Sequence, residues 1–322
     1  MSGIMCQEFY IFDAETKPLQ ALFRIPHIVL KSFAITLRHS SRSSFILTHY
    51  TTLFFLLLLP SGSTIIFCQD IEWLFVPKFS PFRQILRMII LSVYARAGCI
   101  IFTTVQLQRY FSRVLPKSIR FFIHPIDTHS ARLPKYDHSD FSKRDFDVLI
   151  VLRKSWRKNS ELALLLLRAY AKYWTSYGIK FAVVNAMGAE INYIKDMCNT
   201  FFCYETLPHD SMLELYKRSR LLFFPSLHEG FGLPVLEAIN AGCIPILFRN
   251  HGSSSFMPTD YQYYLSSKQN IYSIFCTLIR GLSLSPEDYL DLLLQLLASI
   301  DKYKSATQSH TENLCKLNAF IK

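Results

Sequence analysis

Two carboxylates and two glycines lie close together in the segment whose residues are best suited to chemistry. Glu229 and Glu237 have seven residues between them, and Gly230 and Gly232 lie within that interval. Turn glycines let the backbone approach a ligand closely and leave amide groups free at the start of the following helix. Amides at a helix N-terminus bind phosphate, and carboxylates accept hydrogen bonds from sugar hydroxyls. This arrangement suits a ligand that carries both phosphates and hydroxyls.

A strand, a turn and a helix must position these groups. The apolar run 221–225 predicts a strand, and 232–241 predicts the helix that carries Glu237. Residues 225–238 resemble the donor-binding half of the GT-B glycosyltransferases, specifically the retaining family 4 of glycosyltransferase group 1. Every fixed position of that family's frame, Pro-Ser-x-x-Glu-Gly-Phe-Gly-Leu-Pro-x-x-Glu-Ala, is present. The alternative is a plain strand–turn–helix unit whose glycines only form the turn.

The resemblance implies roles for the residues of the frame and its surroundings. Glu229 would face the sugar, and Glu237 would accept hydrogen bonds from the ribose hydroxyls. The turn amides would face the sugar and the phosphates, and the segment after the next strand would add further contacts. The implied donor-binding residues are Glu237, Gly230, Phe231, Gly232, Leu233, Ser226, Asn250 and Gly252.

A basic loop supplies the other implied catalytic groups. Arg153 follows the predicted strand 148–152, and Lys158 precedes the predicted helix 161–177. The family places an Arg and a Lys at matching positions, where both hold the diphosphate, so the implied catalytic set is Glu229, Arg153 and Lys158. Leu152 stands where the family has a glycine. The alternative is a solvated basic loop, although positive charge at a helix start is unfavourable for the helix dipole.

The acceptor side of the predicted cleft departs from the family. Gln69, Asp70 and Glu72 stand where the family carries a histidine and an acid. A glutamine donates a hydrogen bond but cannot be protonated. The two acids either bind acceptor hydroxyls or simply end a strand, and the glycine-rich loop that family members have after their first strand is not found.

Composition narrows the class of protein. The chain has 322 residues, half of them hydrophobic, which indicates a folded protein. Its net charge is +11, and residues 1–140 hold 15 basic and 8 acidic side chains. An anionic membrane or an anionic substrate explains this excess better than nucleic acid, because no nucleic-acid motif is present. The eight cysteines form no CxxC pair, which favours reduced, buried residues over disulfides or zinc ligands.

The predicted fold is α/β, of GT-B type, with two Rossmann-like domains that face a cleft and a shortened N-terminal domain. The acceptor-side domain would span 1–140, with a linker at 128–146. The nucleotide-sugar domain would span 141–300, and a final helix at 301–322 would pack back on the first domain. The predicted strands are 44–47, 63–68, 99–102, 119–123, 148–152, 180–184, 201–204, 221–225 and 244–248. The predicted helices are 82–97, 105–112, 161–177, 190–197, 212–218, 232–241, 270–281 and 286–300.

Two of these elements carry further expectations. Helix 82–97 would bury Ile85, Leu86, Ile89, Ile90 and Val93, with Arg83 and Arg87 on its other side. This basic helix is either an ordinary surface helix or a peripheral contact with an anionic membrane. Helix 212–218 would begin at a capping Asp210 or Ser211.

The functional expectation is a retaining hexosyl- or deoxyhexosyltransferase. It would move a sugar from a nucleotide-sugar donor to a glycan or lipid-linked acceptor in the assembly of a cell-surface polysaccharide such as O-antigen or capsule. No cofactor or metal is expected, because no Asp-x-Asp or histidine cluster is visible in the sequence. The polar start and the short apolar run 53–59 favour a cytoplasmic protein, with peripheral contact at the inner face of the plasma membrane. The alternatives are a non-catalytic nucleotide-sugar-binding protein and, less favoured, a nucleotide-sugar epimerase.

Overall fold

The computed structural model describes residues 45–47, 64–76, 80–123, 144–153, 155–185, 200–266 and 270–315. Several predicted features lie outside these residues. They are the apolar run 53–59, most of the predicted linker, the predicted helix 190–197 and the end of the chain from 316.

A parallel sheet with two helices forms the first unit of the chain. Its strands lie in chain order, β1 to β4, and all their pairings are parallel. The central strands are almost wholly apolar and buried, which is typical of a parallel sheet that is covered on both faces. The elements are β1 Phe45–Leu47, β2 Thr64–Cys68, α1 Phe82–Tyr94, β3 Cys99–Phe102, α2 Val105–Phe111 and β4 Arg120–Ile123. A short 3-10 helix at Glu72–Phe75 was not predicted.

Helix α1 is present, but the predicted apolar face is only half right. Ile90, Val93 and Tyr94 are buried, whereas Ile85 and Ile89 are exposed. The helix carries apolar side chains around more than one face, so their spacing alone does not say which face packs on the sheet.

A second parallel sheet, with the strand order β10-β9-β8-β5-β6-β7 among the described residues, forms the second unit. The order reverses between β5 and β8, which are neighbours although two strands separate them in sequence. Ligands of such sheets bind at the carboxyl ends of the strands beside this reversal. The strands are β5 Phe146–Val151, β6 Phe181–Val184, β7 Phe201–Tyr204, β8 Ser219–Phe224, β9 Ile244–Phe248 and β10 Tyr264–Leu265. The helices are α3 Ser160–Ala169, α4 Ala171–Ser176, α5 His209–Lys217, α6 Leu233–Asn240, α7 Ile271–Leu282 and α8 Pro286–Cys315.

Three sequence expectations for the second unit were wrong. The predicted helix 161–177 is two helices, because Tyr170 leaves helical geometry at φ −117° and ψ 20°. Helix α5 begins earlier than predicted, after Pro208, and neither Asp210 nor Ser211 caps it. The predicted linker runs too far, since Phe146 is a buried residue of β5 and the Arg144 side chain donates to the carbonyl of Ser219.

Helix α8 is one continuous helix of 30 residues, where a helix at 286–300 and a separate final segment were predicted. It contacts β4 of the first unit and α6 of the second. The Tyr303 ring packs against Phe231 and Phe256, with ring centroids 6.0 and 6.4 Å away. This helix therefore joins both units and supports the turn that carries Phe231.

Two chemical expectations can be compared with the described residues. Cys68, Cys99 and Cys243 are buried, as expected, whereas Cys276 is exposed. Along the described part of the chain, no helix is both long enough and apolar enough to span a membrane.

Candidate functional site

A small open pocket lies where the strand order reverses. The loop after β5, the loop after β8 and the start of α6 all contribute to it, so it occupies the position that this sheet topology favours for a ligand. Its lining residues are Val151, Arg153, Lys158, Phe224, Pro225, Ser226 and Pro234.

The glycine turn between β8 and α6 has a tightly specified backbone. Gly232 precedes the first residue of α6 at φ +93°, a conformation that side-chain-bearing residues rarely adopt. Gly252 packs beneath the turn, since a Cβ there would lie 2.6 Å from the carbonyl carbon of Phe231 and 2.8 Å from the carbonyl oxygen of Glu229. Phe231 is buried against Phe256. These contacts fix the backbone of the turn, so its amide groups are held in a single arrangement.

Lys158 and Glu229, both predicted as catalytic, form an ion pair. The Lys158 Nζ donates to Glu229 Oε1 at 2.6 Å, and both side chains are largely buried. A charge in such a position is costly unless it is paired, so each group stabilises the other. The pair brings a cation suited to a phosphate and a carboxylate suited to a sugar hydroxyl to one place.

Glu237 lies on α6 in a partly desolvated position. Burial raises the pKa of its carboxyl above the ordinary value of 4.5, while His209 and Arg153 act in the opposite direction. The His209 Nδ1 lies 4.0 Å from Glu237 Oε1. The Arg153 backbone is fixed by Ser160, whose hydroxyl accepts from its amide at 2.9 Å. Arg153, which lines the pocket, therefore lies close enough to Glu237 to act on its carboxyl.

Ser226 and Asn250, both predicted to bind the donor, are engaged within the protein. The Asn250 amide donates to the carbonyls of Ser226 and Phe248 at 3.4 and 3.2 Å. Its oxygen accepts from the Ser253 amide and hydroxyl at 3.0 and 2.9 Å. The Ser226 hydroxyl lies within donating distance, 3.3 Å, of the backbone carbonyls of Arg157 and His228. Both side chains therefore hold the turn in place. Leu233, in contrast, is exposed as the first residue of α6.

The predicted acceptor residues lie where the two units meet. Asp70 Oδ2 accepts from Arg157 Nη1 of the second unit at 2.8 Å, and its Oδ1 accepts from the Ile71 amide at 2.8 Å. Gln69 is exposed, and its backbone carbonyl oxygen lies against Gly230. Glu72 begins the 3-10 helix after β2. The structure brings Gln69 and Asp70 to the glycine turn, with the Asp70 carboxylate bound to Arg157.

Contacts between the units include residues to which the sequence patterns assign no role. Gln106 Nε2 donates to the Ser254 carbonyl at 3.2 Å, and its Oε1 accepts from the Ser255 hydroxyl. Arg157 is adjacent to Lys158 in the basic loop, and this position is the only feature of the sequence that could have marked it as a site residue. Nothing in the sequence marks Gln106, because its partners lie almost 150 residues away.

His228, next to Glu229, has a buried Nδ1 for which the described residues offer no hydrogen-bond partner. Burial lowers the pKa of its imidazole; Asp70 opposes this effect, while His251, Arg157 and Arg83 reinforce it. The Trp156 ring lies edge-on to it at 5.4 Å. His228 therefore favours its neutral form. Within the described ranges, no three His, Cys, Asp or Glu side chains are grouped so that they could hold a metal ion.

Residues 137–271 match the sequence profile of a family described as Glycosyl transferases group 1. The matched range contains the pocket, the Lys158–Glu229 pair and Glu237. The matched range overlaps the predicted nucleotide-sugar domain, residues 141–300.

Curated relatives match only a short stretch of the chain. The serotype-specific mannosyltransferase WbdA of Escherichia coli is 56% identical over 36 residues, which are 11% of this chain and 4% of the relative. The chain thus spans only a small fraction of that relative's length.

Solved structures match most of the chain at low sequence identity. A sucrose-phosphate synthase from Thermosynechococcus elongatus is 13% identical with a TM-score of 0.71, covering 94% of this chain and 81% of that one. A variant of S. aureus TarM in complex with Fondaparinux, alpha-GlcNAc-glycerol and UDP is 14% identical with a TM-score of 0.64, covering 89% and 58%. A UDP-forming alpha,alpha-trehalose-phosphate synthase from Burkholderia xenovorans is 10% identical with a TM-score of 0.63, covering 91% and 78%. The predicted α/β fold of GT-B type is confirmed.

Proposed function

We propose, because residues 137–271 match the profile of the glycosyl transferases group 1 family, that this protein transfers a sugar from a nucleoside diphosphate sugar to an acceptor hydroxyl. The observation that carries the proposal is the 2.6 Å contact between Lys158 and Glu229 beside the glycine turn. It places a phosphate-binding cation and a sugar-binding carboxylate side by side.

Each part of the donor has a matching group in the pocket or in the residues beside it. The diphosphate fits Arg153, Lys158 and the amides at the start of α6, where the helix dipole also favours negative charge. The ribose hydroxyls fit Glu237, and the sugar fits Glu229. Stabilisation of the leaving diphosphate is the main catalytic task, because negative charge develops on it as the bond to the sugar breaks.

The proposed reaction proceeds with retention at the anomeric carbon. The bond between this carbon and the diphosphate oxygen breaks, and the acceptor oxygen bonds to the carbon on the same face. The acceptor proton passes to the departing phosphate oxygen, so no protein base is required. The resemblance of the 225–238 frame to retaining family 4 enzymes supports this stereochemistry.

The proposed acceptor is a growing glycan of a cell-surface polysaccharide. Its support is the stretch shared with a serotype-specific mannosyltransferase, which also makes a mannose nucleotide the first donor to test. The UDP in the TarM complex makes uridine nucleotides the second choice.

Calorimetric titration with GDP, UDP, dTDP and their sugar conjugates, with and without EDTA, tests the proposal. We expect one nucleotide to bind in both conditions, and Glu237→Ala to weaken it by roughly 10- to 100-fold through the loss of charge-assisted hydrogen bonds. Leu165→Ala, at an exposed position of α3, is the matched control and should bind normally. Binding that disappears with EDTA would overturn the metal-free donor site. No binding to any nucleotide would refute the donor assignment.

A donor-binding protein without transferase activity is the competing function. Two observations favour it: Gln69 replaces the family's histidine, and the Asp70 carboxylate is bound by Arg157. Incubation of the bound sugar nucleotide with glycan acceptors, followed by NMR of the product, distinguishes the two. A product whose new linkage has the same anomeric configuration as the donor supports retaining transfer. A linkage of the opposite configuration, or a lack of product, contradicts it.

A further inference from the structure

Arg157 joins three segments of the chain. Its side chain reaches the first unit, where Nη1 donates to Asp70 Oδ2 at 2.8 Å. Its backbone carbonyl accepts from the Leu227 amide at 2.8 Å, which ties it to the loop after β8. The next residue, Lys158, donates to Glu229 Oε1 on the same loop. Arg157 therefore connects the first unit directly to the pair that is proposed to act on the donor.

The ion pair between Arg157 and Asp70 is suited to hold these segments in place. The two side chains are 18% and 17% exposed, so both charges are largely removed from water. A charge in such a position is costly unless it is paired, and loss of one partner leaves the other uncompensated. Gln106 also connects the units, through Ser254 and Ser255, but without a charged group. Of these two contacts, the ion pair is therefore the one whose loss should have the larger effect.

The Asp70 carboxylate has little capacity left for an acceptor. Its Oδ1 accepts from the Ile71 amide at 2.8 Å, and its Oδ2 accepts from Arg157. An acceptor hydroxyl that donates to this carboxylate would have to displace the arginine or share a largely buried side chain. Both oxygens are instead used to fix the loop after β2, whose Gln69 carbonyl lies against Gly230 of the glycine turn. The geometry thus favours a role for Asp70 within the protein.

We propose that Arg157 and Asp70 are positioning residues for sugar transfer, which fix the donor-binding groups of the second unit relative to the acceptor side of the first. Asp70 then acts on the reaction through Arg157 and not by contact with the acceptor. The donor pocket lies within the second unit, so loss of the pair should slow the transfer step and leave nucleotide binding intact. This inference rests on the proposed sugar transfer and gives Asp70 a different role from the predicted acceptor contact.

Steady-state kinetics, with GDP-mannose and mannotriose as the first donor and acceptor, separates this role from acceptor binding. Asp70→Asn and Arg157→Gln should each lower the turnover number by roughly 30-fold or more, because a misplacement of about 1 Å between reacting groups costs about 100-fold. The Michaelis constant for the acceptor and the nucleotide affinity should stay within about threefold of the parent values. The double variant should be no slower than either single variant, because both changes remove the same contact. Arg157→Lys keeps a charge that can donate to Asp70, so it should recover about tenfold of the lost turnover.

Hydrogen exchange tests the pair without an assay of transfer. Arg157→Gln, in the second unit, should speed exchange of the Ile71 amide in the first unit by roughly 10-fold. The reason is that the Asp70 carboxylate, which accepts from this amide, loses its anchor. Unchanged exchange at Ile71 would show that the pair does not fix this loop, and the proposal would be wrong whether or not the protein transfers sugar.

Asp147→Asn is the matched control, because it breaks an Arg–Asp contact of similar burial that lies wholly within the second unit. Arg220 Nη1 donates to Asp147 Oδ1 at 3.2 Å, and both side chains are 21% exposed. This variant should lower the thermal unfolding midpoint but leave the turnover number within about threefold.

Three kinetic outcomes would overturn the positioning role in an active protein. They are normal turnover in Asp70→Asn or Arg157→Gln, an acceptor Michaelis constant that rises in Asp70→Asn alone, and a double variant slowed by the product of the two single effects. An unaltered protein that transfers sugar to no glycan would instead refute the proposed function, and the positioning role with it.

Discussion

The glycine turn lies close to the first unit, so alanine substitutions at its two glycines, Gly230 and Gly232, should have different effects. A Cβ added at Gly230 would overlap the backbone carbonyl oxygen of Gln69 and lie 3.1 Å from the backbone carbonyl carbon of the same residue. Gly230 does not have a positive φ, so the turn itself accepts an alanine there. Gly230→Ala should therefore leave the glycine turn intact and push the two units apart.

The size of the effect follows from the contact distances. Carbon atoms of non-bonded groups prefer about 3.5–4.0 Å, so the overlap with Gln69 requires the units to separate by about 1 Å. A displacement of this size would lengthen the Arg157–Asp70 contact from 2.8 Å to beyond hydrogen-bond distance. Misplacement of a reacting group by about 1 Å lowers turnover by roughly 100-fold.

Gly232→Ala provides the contrast, because its φ of +93° lies in the left-handed region. An alanine there costs about 1–2 kcal/mol of local strain and distorts the start of α6, where the donor phosphates would bind. We expect Gly232→Ala to weaken nucleotide binding by roughly 5- to 30-fold. Gly230→Ala should lower the turnover number. It should leave the nucleotide affinity within about threefold of that of the unaltered protein, because a strained contact between the units does not move the pocket residues.

Three measurements on each variant test this reasoning. Calorimetry gives the nucleotide affinity, steady-state kinetics gives the turnover number, and small-angle scattering gives the radius of gyration. Gly178→Ala is a useful control, because Gly178 also has a positive φ of 62°, but a Cβ added there would have no atom of the described residues within 4 Å. Normal turnover in Gly230→Ala would refute the claim that the close approach of the units is required. The same loss of nucleotide affinity in both turn variants would refute the separation of the two roles.

Three further predictions concern single side chains. Lys158→Met should raise the dissociation constant of the nucleoside diphosphate by roughly 10-fold or more in calorimetry, because a charged hydrogen bond is lost, and Lys158→Arg should restore part of it. Nucleotide affinity should fall as the pH is lowered through the raised pKa of Glu237, because the ionised carboxylate is the form that accepts hydrogen bonds from both ribose hydroxyls. Glu237→Gln should remove this pH dependence. An unchanged pH profile of nucleotide affinity in the variant would contradict the assignment. Tyr303→Ala should lower the free energy of unfolding by about 3–4 kcal/mol in urea through loss of packing on Phe231, whereas Tyr303→Phe should cost little, because the described residues give its buried hydroxyl no partner.

The half of the fold that contains the glycine turn was predictable because its signals are local. The strand at 244–248 and the strand at 201–204 have the predicted bounds, since short apolar runs between turn residues define them. The helix after Gly232 begins as expected, because the glycine and the following proline favour a helix start. The pairing of Lys158 with Glu229 is compatible with the frame, although the sequence could give neither its distance nor its burial.

The remaining features depend on contacts between distant residues. Arg157 and Asp70 are 87 positions apart, so no local pattern could connect them. The break at Tyr170 interrupts a sequence that has good helical periodicity on both sides, which local propensity alone does not reveal. The packed face of α1 was misjudged for Ile85 and Ile89 because the helix is apolar on two sides, and tertiary packing chose between them.

A crystal structure with the nucleoside diphosphate that binds in calorimetry would test the central claim most directly. We predict that the diphosphate oxygens lie within hydrogen-bond distance of Lys158 Nζ and the Arg153 guanidinium, and that the ribose hydroxyls donate to Glu237. The contact between Lys158 and Glu229, now 2.6 Å, should lengthen as the lysine turns to the phosphate. A nucleotide bound elsewhere, or one that leaves this pair intact and touches neither Arg153 nor Glu237, would contradict the account.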